Sequence, residues 1–118
     1  MTFARARSRS ALVGALTLAA IGACAPALPH ATGEDVRIAR TRWPAVSARD
    51  LEAGRELYVR YCAGCHALKT PDAVEPERWS AEVARMRELE DVKMNDSDAE
   101  LVVRYLVSVG TRLRGAGR

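Results

Sequence analysis

The residues Cys62-Ala63-Gly64-Cys65-His66 gather two thiols and an imidazole within one short segment. Thiols three positions apart sit on one side of a helical turn. That spacing matches the two vinyl groups on one edge of a porphyrin, each of which can take a thiol to form a thioether. An imidazole directly after the second thiol can swing beneath the ring and ligate the iron, so Cys62-x-x-Cys65-His66 is an attachment signature for haem c. Rival chemistries ask for more than the segment offers. A structural zinc ion needs a fourth ligand, an adjacent Cys-His pair fits a tetrahedron poorly, and His30 is the only other imidazole. A thioredoxin-like Cys-x-x-Cys wants a βαβ setting, and no alternating strand pattern is present. A Cys62–Cys65 disulfide is the rival that an oxidising compartment allows.

The third cysteine has a different setting. Arg5, Arg7 and Arg9 give a basic start, Ala11 to Ala23 carries no charge, and Cys24 ends the run. This is the layout of an export signal. Ile21-Gly22-Ala23-Cys24 resembles a bacterial lipobox, in which small residues let the signal peptidase approach and the thiol accepts a diacylglyceryl group. The resemblance implies cleavage before Cys24 and acyl chains on it, holding the protein on a membrane without spanning it. An ordinary secretory signal cut further on, after Ala27, would instead discard Cys24. No Arg-Arg pair suggests the twin-arginine route.

Composition sets the outer limits. The 118 residues suit one domain, and 5% aromatics exclude a large aromatic core. No apolar run reaches the roughly 18 residues of a membrane span. Formal charge is +3, from 18 basic and 15 acidic residues, but removing Arg5, Arg7 and Arg9 with the signal leaves 15 of each. The basicity therefore belongs to the export segment. The remaining arginines alternate with acids and form no patch for nucleic acid. No nucleophile, base or paired carboxylate suggests an independent enzyme.

The elements that must position the motif follow from periodicity. Ala25 to Ala45, broken by Pro26, Pro29, Gly33 and Pro44, shows no helical period and reads as a flexible spacer. His30 is a solvated residue of that spacer, and Val36, Ile38 and Trp43 are its candidates for folding back onto the domain. Ser47 opens a capping box with Asp50, and Leu51, Gly54, Leu57, Tyr58 and Tyr61 share one helical face leading to Cys62. A loop runs from Ala67 to Glu75. Pro76 opens a second helix, with Trp79, Val83, Met86 and Leu89 on its stripe. Asp91 to Asp96 is a polar connector containing Met94. Ser97 with Glu100 caps a third helix, whose stripe Val102, Tyr105, Leu106, Val109 is ended by Gly110.

Residues 47 to 110 resemble the monohaem class I-like cytochromes c. The run Leu51 to Cys62 is similar to the helix that family places before its haem, and Tyr105-Leu106 is similar to the aromatic-Leu pair of its final helix. Gly54 would let those two helices cross closely. Trp79-x-x-x-Val83-x-x-Met86 is similar to a compact subgroup of bacterial lipoprotein cytochromes.

The resemblance implies an all-α fold of about three helices around one covalently attached haem. Cys62 and Cys65 would form the thioethers, and His66 would be the proximal iron ligand. The subgroup pattern prefers Met86 as distal ligand, with Met94 the alternative and His30 or an open position behind them. A loop carbonyl near Pro71 would accept from the histidine, and Trp79 would pack on the ring edge or simply in the core. The implied division is a signal at 1–23, a tether at 24–46, a cytochrome domain at 47–111 and a tail at 112–118. The implied function is single-electron transfer between periplasmic or cell-surface redox proteins, by a protein held on the periplasmic side of an inner or outer membrane. The alternatives are a haem sensor with a labile sixth position and a haem subunit of a larger dehydrogenase.

Overall fold

A computed structural model describes residues 27–64, 67–89 and 92–118. Among them the chain forms α1 (Gly33–Arg40), α2 (Ala48–Cys62), α3 (Trp79–Leu89) and α4 (Asp96–Ala116). Short 3-10 turns at Pro71–Ala73 and Pro76–Arg78 join α2 to α3. No strand occurs among the described residues, so the all-α expectation holds. The helices number four rather than three. No helix among them is long and apolar enough to cross a membrane.

The sequence places α2 correctly. The Ser47 hydroxyl accepts from the Asp50 N–H, while the Asp50 carboxylate takes the Ser47 N–H and hydroxyl, each at 2.8 Å. These bonds hold the Asp50 carboxyl below its ordinary range. Leu51, Gly54, Leu57, Tyr58 and Cys62 are buried along one side. That side packs on α4, the central element, which also receives α1, α3 and both 3-10 turns.

At the crossing of α2 and α4, a Cβ on Gly54 would stand 2.1 Å from the Leu101 carbonyl oxygen and 2.9 Å from the Tyr105 Cβ. Only a residue without a side chain lets these backbones meet. Val102, Tyr105, Leu106 and Val109 are fully buried as their stripe predicts. Each such aliphatic side chain contributes about 1.5–3 kcal/mol by leaving water.

Four expectations need correction. First, the stretch 24–46 is not a spacer from Leu28 onward. Leu28 is buried in the main core, and residues 33–40 are helical. Thr32 and Asp35 form a capping box, with the Asp35 carboxylate accepting the Thr32 N–H at 2.7 Å. Its other oxygen accepts from Arg112 Nε on α4 at 2.7 Å, leaving Asp35 wholly buried. Thr32 with Asp35 is the local signal for this helix, set among Pro29, Gly33 and Pro44, which read as a spacer. Val36 and Trp43 do fold back onto the core. The guanidinium groups of Arg42 and Arg104 lie over the Trp43 ring.

Second, α4 starts two residues earlier than Ser97 suggests. Asn95 is its N-cap, accepting from the Asp98 N–H at 2.8 Å. Third, Gly110 does not end α4, which runs on to Ala116, so residues 112–116 belong to the domain and not to a tail. A Cβ on Gly110 would lie 2.4 Å from the Pro71 carbonyl oxygen. The glycine serves a close approach in mid-helix. Arg112 and Arg114 then tie the last turns to Asp35 and Glu75. Fourth, Leu89 is not on the core stripe of α3. As the last residue of that helix it is 70% exposed, while Trp79, Val83 and Met86 are buried. Pro76 opens the 3-10 turn that leads into α3.

Candidate functional site

Cys62 is the last residue of α2 and is buried in the main core. Cys65 and His66 lie outside the described residues, as does Cys24. The site can therefore be built from both flanks of the motif and from the wall they face.

The flanks are tied together by Tyr58. One helical turn before Cys62, its ring is buried and its hydroxyl donates to the Lys69 carbonyl at 3.0 Å, bridging from one side of the motif to the other. Burial, with a smaller part from the neighbouring Cys62 thiol, pushes the Tyr58 phenol up to about 12. Tyr61 fixes the other side of the same turn, donating to Asp98 at the start of α4 at 2.8 Å.

The loop after the motif is held by its carbonyl groups. Lys69 O accepts from Tyr58, Thr70 O from the Ala73 N–H at 2.9 Å, and Pro71 O from the indole of Trp79 at 2.9 Å. Trp79 is fully buried and meets Tyr58 edge-on, with ring centroids 6.2 Å apart. The Pro71 oxygen lies in the stretch where the sequence predicts a loop carbonyl accepting from the histidine. It already serves Trp79 and presses on Gly110, with one lone pair left over.

Cys62, Met86 and Met94 join the same apolar cluster, at 7%, 8% and 5% exposure. The two methionines come from different elements, Met86 from α3 and Met94 from the connector, and burial does not separate them. A buried thiol at the end of a helix suits a thioether bond to a porphyrin vinyl group, and each methionine sulfur of the same apolar cluster is a soft donor of the kind haem iron accepts.

His30 is not brought to this place. Its Nδ1 lies 2.8 Å from Glu52 Oε1, and its side chain is 75% exposed. Glu52 precedes Cys62 by ten residues of continuous helix, about 15 Å along the axis. His30 is thereby removed both as distal ligand and as the fourth ligand of a zinc site. Among the described residues no three His, Cys, Asp or Glu side chains gather for a metal ion.

Two contributors were not foreseen in these roles. Gly110 reads in sequence as a helix stop, and nothing local distinguishes a stop from a close contact. Tyr58 was placed on the buried face, but its hydroxyl bond to Lys69 had no signal beyond its position one turn before Cys62. Compared with protein-family models, with curated proteins and with solved structures, the chain matches none.

Proposed function

We propose that the protein is a membrane-anchored monohaem cytochrome c that carries single electrons between redox proteins on the periplasmic side of a bacterial membrane. The observation that carries this reading is the burial of Cys62, the first thiol of a Cys-x-x-Cys-His motif, in one cluster with Met86 and Met94. Cys62 and Cys65 would hold the group through thioethers, His66 would ligate on one side, and Met86 or Met94 on the other. A haem so held supplies a one-electron iron couple.

The chain's own part is structural. Tyr58, Trp79 and the pinned carbonyls of Lys69, Thr70 and Pro71 fix the loop on which the motif closes. A rigid setting keeps rearrangement small when charge changes, which suits electron transfer. The apolar cluster keeps water from the sulfur donors. Ala67, Lys69, Asp72, Ala73 and Glu75 stay exposed along the outer edge of the loop, as a docking rim requires. Acyl chains on Cys24 would raise the effective concentration of a partner in the same membrane.

Absorption spectra of the full chain, matured with haem-attachment machinery, test the reading. Expected are a haem spectrum that survives denaturation, through its covalent bonds, and slow or absent carbon monoxide binding to the reduced protein. A chain lacking covalent haem overturns the proposal. Rapid stoichiometric carbon monoxide binding would turn the carrier into a ligand-binding haem protein.

A further inference from the structure

The chain between Cys24 and the fold is very short. Leu28 is already buried in the main core, so only Ala25, Pro26 and Ala27 intervene. Four residue steps reach at most about 14 Å when fully extended. A domain of this size measures roughly 30 Å across.

From Leu28 onward the backbone is fixed point by point. The Pro29 carbonyl accepts the Tyr105 hydroxyl at 2.7 Å. The Glu52 carboxylate meets His30 Nδ1 at 2.8 Å and the Ala31 N–H at 3.5 Å. Thr32 then caps α1, and Asp35 joins α1 to Arg112 of α4. No slack remains to be drawn out without breaking these contacts.

We propose that the folded domain rests directly on a lipid surface, held by acylated Cys24 through a leash of three residues, with the Leu28–Ala31 side turned to the bilayer. The inference rests on Cys24 being the acylated residue. The occupant of that face is lipid because the acyl chains lie in the bilayer and the leash is shorter than the domain is wide. Charge at the exit agrees. Glu52 is paired with Arg55 at 2.6 Å and lies 2.8 Å from His30, so it faces anionic headgroups as a paired carboxylate. Burial works against the Glu52 carboxylate, but bonds from Arg55, His30 and the Ala31 N–H hold it below its ordinary range.

Neutron reflectometry of the full-length acylated protein on a supported bilayer reads the height of the protein layer. A variant with twenty Gly and Ser residues inserted between Ala27 and Leu28, spanning about 25 Å on average, serves as comparison. The native layer is expected to begin at the headgroups, and the variant to show a hydrated gap. A native layer separated by a gap as wide as that of the variant overturns the proposal. Mass spectrometry of the same sample reads the acyl groups on Cys24. Their absence overturns the anchoring reading itself, whatever the height.

Discussion

The indole Nε1 of Trp79 donates to the Pro71 carbonyl at 2.9 Å, and the same oxygen is the surface on which Gly110 of α4 rests. One buried acceptor thus ties α3, α4 and the loop after the motif together. Trp79→Phe removes the donor and leaves the carbonyl partly unsatisfied inside the core. A loss of about 2–4 kcal/mol is expected, combining the missing bond with the smaller ring. Urea unfolding at constant m-value measures it, and a change under 0.5 kcal/mol would show the contact to be dispensable.

Glycine to alanine changes should differ in sign along the chain. Gly54→Ala and Gly110→Ala drive a methyl group into backbone carbonyl groups and should cost about 1–3 kcal/mol or more. Gly115→Ala, also in α4 but with nothing within 4 Å, should gain up to about 1 kcal/mol from helix propensity. Thermal midpoints of the three variants moving in one direction would contradict the packing described.

Asp35 and Arg112 provide a test of a buried charge. Arg112→Met leaves the Asp35 carboxylate with only its Thr32 donors, and a loss of about 2–4 kcal/mol is expected. Combining it with Asp35→Asn removes the stranded charge and should recover part of that loss. A double-mutant cycle that comes out additive would mean that the pair is not coupled.

Alkali should unfold the protein through its tyrosines. All three phenols are raised: Tyr58 and Tyr105 chiefly by burial, Tyr61 chiefly by its bond to Asp98. A raised phenol favours the fold fully below the unfolded value near 10, and that contribution is lost as pH climbs through the folded value, about 12 for Tyr58. The phenolate absorbance should stay low at pH 10 and then rise together with loss of helix. Tyr58→Phe should flatten the fall in stability between pH 10 and 12. Tyrosines that titrate independently near pH 10 in the folded state would refute this.

The sulfur ligand separates by substitution. Under the proposed function, Met86→Leu should abolish the sulfur-to-iron charge-transfer band of the oxidised protein, while Met94→Leu retains it. Leucine conserves volume, so either variant should lose less than about 1.5 kcal/mol. The opposite pattern would assign Met94.

What the sequence discloses depends on how local the cause is. Ser47 with Asp50, the stripe from Leu51 to Cys62 and that from Val102 to Val109 all lie within one helix, so their spacing carries them. Gly54 was legible because the motif fixes which helix it belongs to. Thr32 with Asp35 is an equally local box at the start of α1, hidden among Pro29, Gly33 and Pro44, and only the bond from Asp35 to Arg112 comes from the far end of the chain. Asn95-Asp96-Ser97-Asp98 offers two overlapping starts for α4, and the Asn95 side chain takes the Asp98 N–H and sets the earlier one. Gly110 carries the same letter whether it stops a helix or admits the Pro71 carbonyl. For the candidate site, Cys62 follows from its motif. Met86 and Met94 are both buried sulfurs, and neither burial nor spacing ranks them.

The pairing of Tyr105 with Pro29, and of Arg112 with Asp35, has a consequence for how the chain acquires its shape. The partners are 76 and 77 positions apart, so closing these loops costs entropy that nearer contacts, such as those of His30 and Ala31 with Glu52, offset only in part beforehand. During synthesis Leu28 to Arg40 first meet Val46 and then Glu52 of α2, while Pro29 and Asp35 wait for α4 to supply Tyr105 and Arg112. A polypeptide stopped short of α4 leaves Pro29 and Asp35 without these two partners, and an intact α4 becomes the condition for the full anchoring of α1.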